Sequence, residues 1–394
     1  MTDVAKERMY ELDWLRVIAV IILLFFHVGM IFVSWGWHVQ NETSSTFMEQ
    51  WMIFSRRWRM PLLFFISGAG TCFALKYRSR KVYAGERTRR LFFPLLICIP
   101  IVVAPQVYVE KIAQYDSFLH FMSHYFNGVY PEGNFSWHHL WFVVYLFIYS
   151  LISIPLFFFW RGEGGKRMNR RLLPFFKHRG YLLFLVLPII LSQAVLRPYF
   201  PQETHALYND WAYFVYFWCF FAFGFILTTD RAYWDLIRDH RRTFLGAALG
   251  VLVLLYFSYW VLWPARNALW IRFDHLWDLT NMMMAWFWVL TILGYGRRYL
   301  AFGNAYLRWA NESVYPFYIW HQAVIVIIGY FVIQWNMNLY LKFAVIAFSS
   351  FVVSILLTML VRQTNITRFM FGMRPKPGGK DLAAPAAGKT AAAT

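Results

Sequence analysis

Long apolar stretches recur along this chain, and each is long enough to cross a lipid bilayer as a helix. A hydrocarbon core of ~30 Å requires about 20 apolar residues in helical conformation. Ten stretches approach that length, at residues 15–36, 57–77, 91–109, 139–159, 180–197, 211–229, 243–263, 279–296, 313–334 and 340–361. Unpaired backbone amides are not tolerated in lipid, and runs of this length favour helices. We therefore predict an all-α, polytopic membrane helix bundle with about ten transmembrane helices.

The charge distribution agrees with this class and predicts an orientation. The chain is 59% hydrophobic and 15% charged, with a formal net charge of +18. A basic balance can indicate nucleic-acid binding, but here lysine and arginine concentrate in the loops that follow segments 2, 4, 6 and 8. The outer loops at 110–138, 198–210 and 335–339 hold only Lys111, and the loop near 264–278 adds Arg266 and Arg272. Short cytoplasmic loops carry the positive excess, so we expect both termini in the cytoplasm and no nucleic-acid partner.

The pattern indicates one membrane domain followed by a tail. Residues 1–365 form the predicted transmembrane domain, and 366–394 a cytoplasmic tail whose composition from Arg374 onward favours disorder. The first apolar run is too long for a cleaved signal peptide, so we expect an uncleaved signal anchor. Three cysteines lie in apolar runs without disulfide or metal-ligand spacing, and we expect them to pack in the core, with no metal bound: Cys72, Cys98 and Cys219.

Arg16 and His27 are the most informative polar residues, because both fall in the first apolar segment. Eleven residues correspond to about three helical turns and roughly 16 Å of rise, so both side chains point the same way at different depths. Ionisable residues inside a membrane segment generally mark functional sites. A second interpretation stays open, in which Arg16 extends to the interface and His27 is a hydrogen-bonded packing residue.

Two groups of arginines lie near segment ends. Arg56, Arg57 and Arg59 occur where segment 2 begins on the outer side, against the charge rule, so that Arg59 is a candidate ligand for an anion or an anchor at the interface. Arg87 and Arg90 precede segment 3 and are expected to share one face at a helix N-terminus, where guanidinium groups and free amides bind phosphate well. A cytoplasmic loop is also basic without any ligand.

Further polar groups fall at membrane depth in segments 2, 4 and 9. Ser67 precedes Gly68, which permits close approach of a ligand or of a neighbouring helix. His139 and Trp141 open segment 4 and are candidates to line an outer cavity, although aromatic belts are common there. His321, in segment 9, is a second intramembrane histidine.

Together these residues outline a path across the membrane. A phosphate-bearing donor bound by Arg87 and Arg90 can extend past Arg16 and present its reactive end to His27. An acceptor hydroxyl arriving from outside can meet it there, because histidine has a pKa near neutrality and can take the proton from an attacking hydroxyl.

These residues resemble the acyltransferase 3 family of integral-membrane acyltransferases. Its first helix carries an arginine and a histidine with ten residues between them, as Arg16 and His27 do. Arg87-x-x-Arg90 resembles the arginine pair before the third helix, and FFISG and HLWF resemble landmarks of the second and fourth helices. The opening YELDWLRVIAVIILLFFHVGM and the WRMPLLFFISG stretch are most similar to the branch that acts on osmoregulated periplasmic glucans.

The resemblance implies an acyl-CoA-dependent O-acyltransferase of the bacterial cytoplasmic (inner) membrane. The implied reaction moves a succinyl group from succinyl-CoA to hydroxyls of a periplasmic glucan, with acyl-CoA as a donor substrate and no permanently bound cofactor. It implies His27 as catalytic base, Arg16 as its electrostatic partner, and Arg87 and Arg90 as ligands of the CoA phosphates. Arg59, Ser67, His139, Trp141 and His321 are the candidate substrate-binding residues.

Three other functions remain open at this stage. The chain is also compatible with an acetyl-CoA-dependent O-acetyltransferase of a cell-surface polysaccharide, or with a transporter or flippase for a sugar- or lipid-linked substrate. Against a transporter, the sequence has no internal repeat with broken helices in matching halves. A membrane scaffold without activity leaves the intramembrane arginine and histidines unexplained.

Overall fold

The computed structural model describes residues 8–76, 78–262 and 273–376. All the named secondary-structure elements in these ranges are helices, which confirms the all-α class. The membrane helices are α1 (Tyr10–Met30), α2 (Thr46–Leu75), α3 (Arg80–Glu110), α4 (His138–Ile152), α5 (Ile154–Arg161), α6 (Tyr181–Leu196), α7 (Trp211–Thr228), α8 (Arg241–Val261), α9 (Phe273–Tyr299), α10 (Ala305–Val332) and α11 (Leu339–Val361). The loop residues Arg266 and Arg272 lie outside the described ranges.

The number of spans is slightly lower than expected. Within the described residues, eight helices are long and apolar enough to cross a membrane. α4 and α5 form a ninth span if they are counted as one bent segment, with a bend of 53°. The remaining predicted segment, 180–197, corresponds to α6, which is a shorter apolar helix than the eight spans. The polytopic class is confirmed, while the cytoplasmic location of the termini stays a prediction.

The first helix lies nearer the N-terminus than the apolar pattern indicates. The prediction of a segment at 15–36 was wrong in its bounds, because α1 begins at Tyr10 and ends at Met30. The apolar run continues past that end because Ile31, Phe32 and Val33 are buried in the following loop. His27 therefore lies in the last turn of α1.

The third helix begins earlier than predicted and contains three prolines. Ser79 caps it by accepting a hydrogen bond from the Val82 amide, so the helix starts at Arg80 rather than near residue 91. Proline lacks an amide hydrogen, and the helix accommodates its prolines with two π-helical turns, Thr88–Phe92 and Ile99–Val103.

Helices of mixed polarity lie at one end of the bundle. We call this end, where α1, α3 and α10 begin, the basic end, and the other the opposite end. Glu163–Phe176 and Arg231–Asp239 form two such helices, and Asn365–Met370 forms a third within the predicted tail. Phe371 and Met373 are buried. Residues 377–394, where disorder was predicted, lie outside the described ranges.

α2 lies at the centre of the bundle and crosses α7 at very close range. An added Cβ on Gly68 would lie 1.9 Å from the Phe221 carbonyl oxygen, and one on Gly224 would lie 1.9 Å from the Phe65 carbonyl oxygen. Glycines at both sides of the crossing therefore let the two backbones touch. This contact assigns Gly68 to helix packing, the alternative that the sequence left open. Of the cysteines, Cys98 and Cys219 are buried and Cys72 is partly buried, all three as free thiols.

Candidate active site

The two intramembrane histidines meet between α1 and α10. His27 Nδ1 lies 2.8 Å from His321 Nε2, and the two rings are 5.0 Å apart. The other face of the His27 ring stacks on Trp37 at 6.0 Å with an interplanar angle of 8°. His321 is fully buried, whereas His27 keeps partial exposure. Residues 294 positions apart thus form one imidazole pair.

Hydrogen-bond chemistry fixes the direction of this pair. His321 Nδ1 lies 2.5 Å from the Tyr318 carbonyl oxygen, which can only accept, so Nδ1 carries the proton. In neutral His321, Nε2 is then the acceptor, and His27 Nδ1 must donate to it. The lone pair of neutral His27 therefore resides on Nε2. A histidine held in this tautomer by a second group is arranged to act as a general base.

His139 and Tyr318 join α4 to α10 beside this pair. His139 Nε2 donates to the Ile319 carbonyl at 2.9 Å, and the Tyr318 hydroxyl donates to the His139 carbonyl. The His139 ring meets the His321 ring edge-on at 5.4 Å. His139 Nδ1 is buried and has no hydrogen-bond partner among the described residues. The two reciprocal bonds hold the Tyr318 carbonyl that orients His321.

Trp141 lies two residues after His139 on α4, on an aromatic surface. Its ring is 4.0 Å from that of His205, which belongs to the loop before α7. Burial lowers the pKa of His205, although the carboxylates of Glu203 and Asp210 oppose the shift. A depressed pKa favours the neutral imidazole near pH 7. This surface is therefore aromatic, with the Glu203 carboxylate 3.6 Å from His205 Nε2 at its side.

Arg59 provides an unpaired charge next to the histidines. It is only 3% exposed, and its guanidinium lies 3.8 Å from the centre of the Phe26 ring, the neighbour of His27. Its Nε and Nη1 atoms are buried and have no hydrogen-bond partner among the described residues. The positive charge is close enough to act on both His27 and His321. A buried cation without a partner is costly and marks a place for an anion.

Arg16 lies toward the basic end and connects the same two helices. Its Nη1 donates to Asn311 Oδ1 of α10 at 2.8 Å, and Asp13 Oδ1 is 3.5 Å away. An added Cβ on Gly70 would lie 3.8 Å from Arg16 Nη2, so α2 passes close to the guanidinium. The Arg16 side chain remains 28% exposed. Arg16–Asn311 and His27–His321 are therefore two polar contacts between parallel helices.

Arg87 lies near Arg16 and Arg90 lies near Arg87, although neither is at a helix N-terminus. Arg87 Nη2 donates to Thr71 Oγ1 at 3.4 Å, next to Gly70, and its charge interacts with that of Arg16. Arg90 Nε donates to the Gly372 carbonyl at 3.3 Å. The expected helix start at this place was wrong, because α3 begins at Arg80 and its amides here are already used. Any phosphate must be bound by the side chains alone.

Ser67 lies on α2 with its hydroxyl turned to its own helix. Ser67 Oγ donates to the Leu63 carbonyl at 2.8 Å. The hydroxyl oxygen keeps its lone pairs for another donor. Its role in binding a substrate stays a prediction.

Several site residues could not be found from the sequence. Asn311 lies just before predicted segment 9 and Gln322 within it, and no sequence pattern marks either residue. Only helix packing brings them to Arg16 and to His38. Glu110 lies at the end of α3, where its carboxylate accepts a hydrogen bond from His38 Nδ1 at 2.5 Å. The sole available signal was an acidic residue at the end of an apolar helix.

Comparison with known proteins identifies the family. The acyltransferase domain family matches residues 9–362, which is most of the chain. The chain belongs to the acyltransferase 3 family. Glucans biosynthesis protein C of Salmonella paratyphi B is 24% identical over 345 residues, covering 82% of this chain and 83% of that protein. The same protein of Salmonella paratyphi A is 25% identical over the same shares. No solved structure matches the chain.

Membership confirms the resemblance drawn from the motifs. The chain is a multi-pass membrane acyltransferase, and its distant relatedness to glucans biosynthesis protein C agrees with the branch indicated by its first two segments. The family match favours an enzyme over a transporter or a scaffold.

Proposed function

We propose that this protein moves a succinyl group from succinyl-CoA at the basic end to a hydroxyl of a periplasmic glucan at the opposite end. The observation that carries the proposal is the directed chain Tyr318 carbonyl, His321 and His27, which leaves a lone pair on His27 Nε2. The names of the relatives support a glucan acceptor. Their bacterial source supports the cytoplasmic membrane as the location.

The reaction needs one base and one acid at the same place. His27 Nε2 accepts the proton of the acceptor hydroxyl while the hydroxyl oxygen attacks the thioester carbonyl carbon. The carbon–sulfur bond then breaks, and the CoA thiolate leaves with the proton that His27 had accepted. While His27 carries the extra proton, the hydrogen bond to His321 stabilises its positive charge.

Arg16, Arg87 and Arg90 suit the donor side of this reaction. Arg16 and Arg87 lie beside residues 70–71 of α2, and the charge of Arg90 interacts with that of Arg87. Together these guanidinium groups offer charge for the phosphates and diphosphate of a CoA molecule. Arg16 is about three helical turns from His27, so a long flexible arm is needed to bring the acyl group to the base. The pantetheine arm of CoA is such a group.

Arg59 suits the far end of the acyl group. A succinyl group ends in a free carboxylate, and Arg59 Nε and Nη1 are buried and have no acceptor within the part of the chain that the structure describes. An acetyl group has no such anion and would leave the guanidinium unpaired. This difference favours succinyl over acetyl as the transferred group.

The base is tested by replacing it with a residue of similar shape. We expect His27→Gln to lower the rate of glucan acylation by 10²–10⁴-fold, the usual contribution of a general base. The assay measures acylated glucan by mass spectrometry with purified protein in lipid nanodiscs. The control is His120→Gln, an exposed histidine of the outer loop, which should keep full activity. A His27→Gln variant with normal turnover would remove the basis of the proposal.

The acyl group is tested by changing Arg59. We expect Arg59→Gln to lower kcat/KM for succinyl-CoA at least tenfold while leaving that for acetyl-CoA within about twofold, because only the succinyl carboxylate loses a partner. Arg57→Gln is the matched control, since Arg57 lies two residues away against the Trp277 ring. Equal losses with both donors would exclude Arg59 as the carboxylate ligand and favour the acetyltransferase alternative.

A further inference from the structure

A second cluster of ionisable side chains lies at the opposite end of the bundle, outside the acyl-transfer residues. His38, Glu110 and His138 each offer a ligand atom, and these atoms lie within 4.8 Å of one another. They come from three different elements: the loop after α1, the end of α3 and the start of α4. The fold therefore assembles the cluster from distant parts of the chain.

Hydrogen bonds hold both carboxylate oxygens of Glu110, and the bond from Tyr130 comes from outside the cluster. Glu110 Oε2 accepts from His38 Nδ1 at 2.5 Å, and its other oxygen, Oε1, accepts from the Tyr130 hydroxyl at 2.8 Å. In protein metal sites the ligating carboxylates and imidazoles are usually held by such additional hydrogen bonds.

His138 has an unused nitrogen and a strained backbone. Its Nε2 is buried and has no hydrogen-bond partner among the described residues, and its ring lies 4.5 Å from that of His38. Nδ1 lies 3.2 Å from Ser136 Oγ. A proton on Nδ1 bonded to that hydroxyl leaves the Nε2 lone pair for a ligand. His138 adopts φ 35°, in the left-handed region that non-glycine residues seldom occupy. Such strain is concentrated at functional positions.

The charges nearby permit a cation at this place. Lys111 follows Glu110, but its ammonium group is turned to the outer loop and donates to the carbonyl oxygens of Pro131 and Gly133 and to Asn134 Oδ1. Gln322 donates to His38 and Gln106 and is neutral. The carboxylate of Glu110 is thus free to balance part of a divalent charge.

We propose that His38, Glu110 and His138 bind a divalent metal ion of the zinc class. Two imidazoles and one carboxylate are typical ligands of Zn²⁺, and three protein ligands leave a fourth position for water or a sugar hydroxyl. Ligand atoms around a tetrahedral zinc ion lie about 3.3 Å apart, given metal–ligand bonds of ~2.0–2.2 Å. Ion binding would replace the shorter His38 Nδ1–Glu110 Oε2 hydrogen bond, and small side-chain rotations would bring the three ligand atoms, which lie within 4.8 Å of one another, to this spacing. The ion would link the loop after α1 to the ends of α3 and α4. The site lies beside the acyl-transfer residues, because Gln322, which follows His321 on α10, donates to His38.

The proposal is tested by metal binding rather than by turnover. Full-length, untagged protein in nanodiscs is stripped with a chelator and titrated with Zn²⁺, and bound metal is counted by mass spectrometry of the element. We expect about one ion per chain and a metal-dependent rise in thermal stability. Glu110→Gln and His138→Gln should each weaken binding by at least tenfold. Glu110→Gln keeps an oxygen for Tyr130, so its metal-free form should unfold near the wild-type temperature.

The control addresses the other histidines of the outer loop. His120 and His124 have rings 4.9 Å apart and lie on the same side of the molecule. The double variant His120→Gln/His124→Gln should bind Zn²⁺ as the wild type does. The proposal would be overturned if the wild type bound no Zn²⁺. It would also be overturned if the double variant lost binding while Glu110→Gln and His138→Gln kept it. The outcome is independent of the acyl-transfer assay, since it needs no donor or acceptor.

Discussion

At the scale of single residues, the reactivity of His27 depends on a backbone oxygen two hydrogen bonds away. The Tyr318 carbonyl selects the tautomer of His321, and His321 selects that of His27. Both hydrogen bonds are made by neutral groups, an imidazole and a backbone carbonyl. A carboxylate in their place would be costly inside a membrane. Arg59 is the charged side chain beside this pair, and we propose that it binds a substrate anion.

Substitution of His321 separates orientation from packing. Leucine at this position fills space but cannot accept from His27 Nδ1, so we expect His321→Leu to lower kcat by about 10²-fold with little change in KM for the donor. Glutamine offers an oxygen to His27 and an amide to the Tyr318 carbonyl, and His321→Gln should retain activity within about tenfold of wild type. Equal losses in both variants would assign His321 to packing only.

At the scale of helices, the sequence predicted the elements better than their ends or their neighbours. The spacing of Arg16 and His27 predicted a common face because both lie on one helix, and periodicity is local. The end of α1 was missed because Ile31–Val33 remain apolar in a buried loop. Contacts such as Arg16–Asn311 depend on how α10 packs on α1, 295 residues away, and no local pattern encodes that. The cluster of His38, Glu110 and His138 was missed for the same reason.

The crossing of α2 and α7 explains why α2 carries small residues beside its functional ones. Gly68 and Gly224 bring the backbones into contact, which fixes the depth of Arg59 and of residues 70–71 on the same helix. A side chain at the crossing would push the helices apart and displace both ends of the site. Packing here therefore controls the geometry of binding.

Alanine at these glycines should destabilise the protein. The new Cβ would meet a backbone oxygen that cannot rotate away, and such overpacking costs roughly 1–3 kcal/mol. We expect Gly68→Ala and Gly224→Ala to lower the unfolding temperature in detergent and to reduce activity. Gly246→Ala and Gly250→Ala are matched controls in α8, because an added Cβ there meets nothing within 4 Å. Unchanged stability of Gly68→Ala would show that the two helices do not touch at this position.

At the scale of the whole molecule, the two ends of the bundle differ in chemistry. The basic end carries Arg16, Arg87 and Arg90 together with basic amphipathic helices, whereas the opposite end carries histidines, aromatic rings and Glu110. Anionic donors suit the first end and uncharged sugars the second. His27 lies about three turns from Arg16 along α1, and its partner His321 lies well inside α10 (Ala305–Val332). In the proposed reaction, the acyl group and the acceptor therefore reach His27 from different ends of the bundle.

This asymmetry predicts transfer across the membrane rather than on one side of it. Protein is reconstituted into sealed vesicles and its orientation is determined by protease accessibility of the C-terminal residues. Glucan is enclosed in the vesicles and succinyl-CoA is added outside. We expect acylation of the enclosed glucan when the basic end of the protein faces outward, and none when the orientation is reversed. Arg87→Gln/Arg90→Gln should raise KM for succinyl-CoA about tenfold or more, since bidentate phosphate contacts are lost. If glucan were acylated only when donor and acceptor share a compartment, a path through the bundle would be contradicted. On such a path, a donor bound at the basic end reaches His27 through the interior of the bundle, and the acceptor reaches it from the opposite end.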